Sequence, residues 1–473
     1  YSIDLLLSSP TYFVFLVAIF ALYWPLARWR ALALAWILFA NYFFYARWDM
    51  TYLILIPAAS SCDFFIGLGL QNATRPWIRR MLVSLSILVN LGLLAFYKYM
   101  PFFLANWASW TGREAPAWKW ILPITLSFYV FQSLTYTIDL YRRDAKGTRS
   151  YLAHLAAVSF FPTTLAGPIT RVSSLIDQME KRKPLEAADG GRAMFLIGMG
   201  LMKKLMIADY LAENLINRVF DFPNLYSGTE SLVAVYSYAF QIYYDFSGYT
   251  DIAIGSALLL GIKLPANFNR PYAAVNLTEF WRCWHITLSN WLRDYLYFSL
   301  PGLRSKWKVF AYSNLVLTMV IGGLWHGASW TFVMWGALHG LGLVAVRLWQ
   351  GIVPHRKKDE GLAVWRILSI VLTFHFVAYA WIFFRSGDMA TAWTIIERIR
   401  SGTVSFVNVQ RSYWVVLAVG VVGHYLPRRW YAGSLDLYMR APFYAQAAAL
   451  AALVFSLRYV VTTGAAPFIY NQF

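Results

Sequence analysis

The sequence predicts an all-α, polytopic membrane protein, and three observations carry that prediction. Of 473 residues, 59% are hydrophobic and only 14% charged, where a soluble domain of this size carries about 25% charged residues. The apolar residues fall in unbroken runs, such as 31–40 and 413–423, and not in the strict alternation of a membrane barrel. The basic residues fall between these runs in short clusters. At ~20 apolar residues per crossing, the runs supply roughly ten to twelve transmembrane helices. Lipid leaves helices as the way for a non-barrel chain to satisfy its backbone.

Taken in order, residues 11–27 form the first predicted span, closed by Arg28 and Arg30. Residues 31–46 follow at once, so the two are expected to pair as a hairpin. No small-residue cleavage site follows the first run, which predicts a retained helix, although a chain beginning at Tyr1 is expected to lack its true start. Residues 51–70 and 81–99 are the third and fourth spans, with a basic loop, 71–80, between them. Setting Arg28, Arg30, Arg75, Arg79 and Arg80 on the cytoplasmic side puts the N-terminal end outside. The tryptophan-rich stretch 101–120 has few charges and is expected at the outer interface. Residues 121–141 make the next span and lead into a basic loop, 142–149. Residues 152–169 hold Pro162, Gly167 and Pro168 between two basic clusters, which predicts a re-entrant or interfacial segment in place of a full crossing.

Residues 193–216 carry Lys203, Lys204 and Asp209 and are expected to form an interfacial helix with snorkelling lysines. After an acidic outer loop, 221–230, residues 231–262 read as a long span broken at YYDFSGYTDIAIG. Asp245 and Asp251 near its middle must face protein or water, because a carboxylate in lipid is costly. A polar loop with two prolines, 263–272, leads to the most informative stretch, 279–340. Beyond it come a basic loop (353–358), a span at 365–384, a polar stretch, and two last spans near 414–425 and 444–460. No internal repeat interrupts this order. The whole chain, 1–473, is read as one integral-membrane domain, with N-terminal spans in 1–120, a core in 121–385 and C-terminal spans in 386–473.

A formal charge of +18 raises nucleic acid as a partner, but the placement of the charges argues otherwise. Clusters such as Arg142, Arg143, Lys146 and Arg149, or Lys181, Arg182 and Lys183, sit between apolar runs. That is the positive-inside pattern, with membrane lipid headgroups as the partner. Cys62 and Cys283 support neither a disulfide framework nor a cysteine metal site.

Two histidines stand out in 279–340, His285 and His326, each among tryptophans and aliphatic residues. An ionisable imidazole in such surroundings needs a reason to be there. His326 lies in GGLWHGAS, where Gly322, Gly323, Gly327, Ala328 and Ser329 thin the helix surface. That thinning suits a ligand or a close neighbouring helix equally well. A neutral imidazole held there can remove a proton from a hydroxyl as general base. His339, thirteen residues on, would stand about 20 Å away along a continuous helix, and is read as structural. The tryptophans around His285, Trp281, Trp284 and Trp291, fit an interfacial amphipathic helix. Asn290 and Arg293 could supply hydrogen bonds or positive charge to a phosphate or thioester oxygen.

Several catalytic patterns are absent. No His-x4-Asp pair, nucleophile elbow, H-E-x-x-H, Cys-x-x-Cys or Walker lysine occurs, so a zinc site, soluble-type hydrolysis and primary pumping lack support.

Six segments, in order, carry a resemblance: LPITLSFYVFQSLTYTIDLYRR (122–143), SFFPTTLAGPITR (159–171), YYDFSGYTDIAIG (243–255), NFNRPYAAVNLTEFWRCWHITLSNWLRDYLY (267–297), GGLWHGASWTFVMWGALHG (322–340) and WIFFR (381–385). Together they resemble the membrane-bound O-acyltransferase family, in its bacterial branch of the alginate O-acetyltransferase type. Cys283 departs from it, standing where relatives usually carry a second arginine before the Trp-His pair. The resemblance implies acyl transfer, with His326 at the family's catalytic histidine and His285 at the second motif histidine. Trp325, Ser329, Asn290, Trp284 and Arg293 complete the expected substrate-binding set. It further implies helices around a central tunnel in the bacterial inner membrane, and an acyl thioester such as acetyl-CoA as donor, with no permanently bound cofactor or metal. The expected acceptor is an exported polysaccharide, reached through a periplasmic partner acetyltransferase. Two alternatives remain at this point: D-alanyl transfer to teichoic acid by a sister branch, and a transporter coupled through Asp245 and Asp251.

Overall fold

Helices follow the apolar runs throughout, and no strand occurs among the described residues. In this computed structural model those residues are 6–120, 125–164, 167–304, 307–352 and 363–460; the expected basic loop at 353–358 lies outside them. Among the described residues, five stretches are long and apolar enough to cross a membrane: Leu53–Asn72, Pro76–Thr111, Lys308–His326, Trp330–Ile352 and Ala363–Arg385. Pro10–Leu26, Arg30–Ala46 and Phe443–Leu457 are shorter apolar helices. The chain is an all-helical, polytopic membrane protein. Its residues gather into two compact units, one of 1–197 with 249–265, the other of 198–248 with 266–473.

In the first unit, α1 (Pro10–Leu26) starts on a Ser9 cap and a proline at its first turn, where a missing N–H costs nothing. It packs as the expected hairpin on α2 (Arg30–Ala46). The helices α3 (Tyr52–Asn72), α4 (Pro76–Leu94) and α6 (Leu126–Arg142) pack together around a fully buried carboxylate, Asp63. Ser86, Asn90 and Ser133 each donate to it, at 2.6, 2.8 and 2.6 Å. The basic loop expected at 71–80 is shorter than its charges suggest, because Pro76 opens α4 and places Arg79 inside that helix. The first half of the tryptophan-rich stretch 101–120 is helical. A π-helical turn, Ala95–Tyr99, carries the helix into α5 (Met100–Thr111), which stops at Gly112 with φ 66°, a left-handed cap that glycine adopts freely. The broken segment does break: α7 (Tyr151–Val158) is capped by Ser150, and α8 (Phe161–Thr164) is a single turn. Val172–Glu180 forms α9, and α10 is Ala187–Leu201.

In the second unit, π-helical turns at Met202–Ala208 and Ala212–Ile216 flank α11 (Asp209–Leu211) and precede α12 (Asn217–Asp221). Lys204 does not snorkel. It is 1% exposed, and its Nζ lies 2.7 Å from both Asp209 Oδ1 and Asp245 Oδ1. The break expected in the next span is absent too, since α13 runs unbroken over Gly228–Leu259. The glycine in YYDFSG has another use: a Cβ on Gly248 would stand 2.7 Å from the Gly200 carbonyl oxygen, so the two backbones touch there. Short helices α14 (Leu277–Cys283) and α15 (Ile286–Trp291) follow, then the long helices α16 (Lys308–His326), α17 (Trp330–Ile352) and α18 (Ala363–Arg385). The polar stretch after α18 contains an amphipathic helix, α19 (Met389–Arg400), capped by Asp388. The last helices are α20 (Arg411–Tyr425), α21 (Arg428–Arg440) and α22 (Phe443–Val460).

Removing the ammonium that Asp209 and Asp245 share breaks a buried ion pair, at a cost of about 3–5 kcal/mol. Lys204→Ala is therefore expected to lower the thermal unfolding midpoint of the detergent-solubilised protein sharply.

Candidate active site

The α16–α17 hairpin is the most closely packed pair of helices in the second unit, and glycines set that closeness. A Cβ on Gly323 would stand 2.2 Å from the Phe332 carbonyl oxygen, one on Gly336 would stand 2.4 Å from that of Met319, and one on Gly340 would stand 2.8 Å from Val316 Cα. The thinned surface around His326 thus admits a helix. Gly327 ends α16 in extended backbone, and Ser329 opens α17, its Oγ accepting from Thr331 N at 3.3 Å. His326 is consequently the last residue of its helix. It is 5% exposed and enclosed by the rings of Trp325, Trp335 and Phe384, at 5.0, 5.2 and 5.2 Å between centroids.

His285 is not on an amphipathic helix. It is the junction between α14 and α15, fully buried, with φ 41° and ψ 56°. A non-glycine residue in the left-handed region costs about 1–2 kcal/mol and persists where neighbours over-determine it. Asn267 does so here. Its carbonyl oxygen accepts from Ile286 N at 2.9 Å. Its side-chain Oδ1 receives Thr287 N at 3.2 Å, Thr287 Oγ1 at 2.9 Å and His285 Nδ1 at 3.1 Å. With three donors converging, Oδ1 is the acceptor, so the His285 proton sits on Nδ1 and Nε2 is the basic nitrogen of the neutral ring. Burial pushes the His285 pKa down to about 3, which keeps that ring neutral at physiological pH. Phe246 of α13 packs edge-on against it at 4.6 Å.

The two histidines are joined through one indole. Trp325 lies 6.3 Å from the His285 ring and 5.0 Å from the His326 ring. His339 also belongs to this group. The break at Gly327 makes the continuous-helix distance inapplicable, and the same Trp335 ring touches His326 at 5.2 Å and His339 at 4.9 Å. Trp281 Nε1 donates to His339 Nδ1 at 3.2 Å, and α18 covers the row with Trp381 stacked on Trp335 at 5.7 Å. The outcome is an alternating series of imidazoles and indoles inside one unit.

The remaining expected site residues divide. Trp284 is 1% exposed and packs between Phe280, Phe268 and Trp381, so it walls the site. Trp325 bridges the histidines. Ser329 spends its hydroxyl on the α17 cap. Asn290 and Arg293 lie on the exposed side of α15 and the π-helical turn after it, with Arg293 Nε on Asp294 Oδ1 at 2.8 Å. Asn267 is the polar residue that sequence reading passed over, in the loop LPANFNRP. An asparagine bracketed by prolines in a loop was its only signal. No group of histidine, cysteine and carboxylate side chains suited to a metal occurs among the described residues.

Residues 116–387 match the model of the membrane-bound O-acyltransferase family. A "probable alginate O-acetylase" of Azotobacter vinelandii is 37% identical over 443 residues, covering 90% of this chain and 86% of that one. A peptidoglycan O-acetyltransferase of Helicobacter pylori is 34% identical over 388 residues, covering 76% and 72%. A teichoic acid D-alanyltransferase of Streptococcus thermophilus is 29% identical over 301 residues, covering 57% and 69%.

Gly336→Ala places a methyl group against the α16 backbone, an overpacking worth about 1–3 kcal/mol. It is expected to lower the unfolding midpoint, whereas alanine at the open Gly351 is expected to leave it unchanged. Asn267→Ala strands three buried donors and costs about 1–3 kcal/mol for each group left unsatisfied. The same melting assay checks it.

Proposed function

We propose that this chain, which belongs to the membrane-bound O-acyltransferase family and is an O-acyltransferase, moves an acetyl group from a cytoplasmic thioester, acetyl-CoA, to the O-acetylation of an exported polysaccharide. The observation that carries this reading is His326 at the end of α16, enclosed by aromatic rings and one indole away from His285. His326 acts as the general base for the attacking hydroxyl, or takes the acyl group itself before passing it on. His285 is the donor-side assistant: its Nδ1–H is committed to Asn267, so Nε2 is the nitrogen that accepts a proton or a hydrogen bond. Trp284 and Trp325 shape the acyl path. In this reading Ser329, Asn290 and Arg293 have peripheral roles, because one caps a helix and two are exposed.

The acceptor side of the proposal is a polysaccharide hydroxyl reached through a periplasmic partner acetyltransferase, with the protein in the bacterial inner membrane. Support for acetyl over D-alanyl transfer comes from the relatives: those named as O-acetylating proteins align over more of this chain than those named for D-alanyl transfer. No resident cofactor or metal is required by this chemistry, since the thioester supplies the activated acyl group.

The test is transfer of labelled acetyl from acetyl-CoA by membranes containing the full chain. His326→Ala is expected to lower transfer at least about 100-fold, in the range of a lost general base, while the protein stays in the membrane fraction at wild-type level. Retained transfer by that variant would remove His326 from the mechanism. Label transfer from a D-alanyl carrier thioester, with none from acetyl-CoA, would replace the donor assignment.

A further inference from the structure

In the first unit, where α3 and α6 end and α4 begins, the chain forms an open cavity of about 580 Å³ lined by Gln71, Thr74, Arg79, Arg143, Lys146 and Gly147, among others. Two helix C-termini meet here, and their last carbonyls would ordinarily make the place attractive to cations. Arg79 cancels that. It is 8% exposed and donates to the carbonyl oxygens of Leu70, Leu140 and Tyr141, satisfying both helix ends from within. Arg143 and Lys146 are then surplus cations. Both are exposed, and among the described residues neither side chain makes a hydrogen bond or an ion pair.

Arg143 holds its place against a backbone preference. It sits at the left-handed residue that closes α6, with φ 65°, where glycine or asparagine is relaxed and arginine is not. Around the cavity the segments 71–80 and 140–149 contain seven arginines and lysines and one acid, Asp144. Gly147 presses the loop onto the end of α3, since a Cβ there would meet the Gln71 side chain at 2.2 Å. Trp77, 60% exposed in the first turn of α4, is placed as an interfacial anchor, which puts the opening at headgroup level. A cavity of this volume suits a small polar ligand.

We propose that this cavity binds a phosphate ester, with Arg143 and Lys146 as its charged contacts and Thr74 as a neutral donor. Its occupant is the headgroup of an anionic phospholipid or a soluble phosphate compound. The site lies outside the histidine cluster and stands independently of acyl transfer.

The experiment uses the full chain in detergent, with binding read by native mass spectrometry and by the shift of the unfolding midpoint. The probes are dioctanoyl phosphatidylglycerol, dioctanoyl phosphatidylcholine and inorganic phosphate. Saturable binding of phosphatidylglycerol over phosphatidylcholine is expected, weakened by salt. The double variant Arg143→Asn, Lys146→Gln is expected to bind about 25-fold more weakly, the product of two factors of about five for basic residues at a membrane surface. Asparagine tolerates the left-handed position, so the fold is kept. Lys146→Gln alone, expected to weaken binding about fivefold, serves as the second variant. Binding of phosphatidylglycerol without inorganic phosphate assigns the site to lipid headgroups, and comparable binding of inorganic phosphate assigns it to soluble phosphates. Absence of saturable binding, equal binding of phosphatidylcholine, or full binding by the double variant would overturn the proposal.

Discussion

The contact on which the candidate site depends is backbone against backbone, between α16 and α17 at Gly323, Gly336 and Gly340. Helices that pack through small residues gain van der Waals contact that larger side chains would forbid, which matters where lipid offers no hydrophobic drive for association. Close approach also decides where side chains go. Because α16 must stop at His326 for the chain to turn through Gly327 into so near a partner, the imidazole lies at a helix end. The Trp335 ring on the returning helix then falls between His326 and His339. A wider hairpin would separate these rings.

The second unit's other constraint is polar. Asn267 fixes a left-handed histidine with four hydrogen bonds, three to its side-chain oxygen and one to its carbonyl. Positioning of this kind places the reacting nitrogen before any substrate arrives, which is how a modest set of groups can reach effective geometry. The buried charges elsewhere are built differently. Asp245 shares Lys204 with Asp209, Arg79 is consumed by helix-end carbonyls, and Asp63 is held by three neutral donors. Each is satisfied by permanent protein partners, as a buried polar group must be if it is not to cost stability. Asp245 therefore reads as architecture, and the idea of a transported substrate coupled through it loses its footing.

Much of the fold was visible in the residues. Long apolar runs gave the helices α1 to α4, α6, α18, α20 and α22 nearly in place, because lipid-facing length and backbone satisfaction leave few options. His326 and His285 were visible for the same reason: an imidazole among tryptophans is conspicuous. What misled the reading was local chemistry with two meanings. Glycines beside His326 suited space or a neighbouring helix equally, the glycine in YYDFSG looked like a break, and both are points of helix contact. Lys204 looked like a surface lysine because its partners, Asp209 and Asp245, lie five and forty-one positions away and meet it only after folding.

By itself, then, the sequence determined the class, the approximate spans, the basic loops and the two histidines, since these follow from composition and period. Tertiary structure alone decided which polar groups meet. Only packing could bring Asn267 to His285, set Trp325 between two imidazoles, draw His339 into the row, and leave Asn290 and Arg293 exposed. Those are contacts between residues distant in the chain or on opposite faces of a turn. Neither hydropathy nor spacing encodes them, because they depend on how closely one backbone is allowed to approach another.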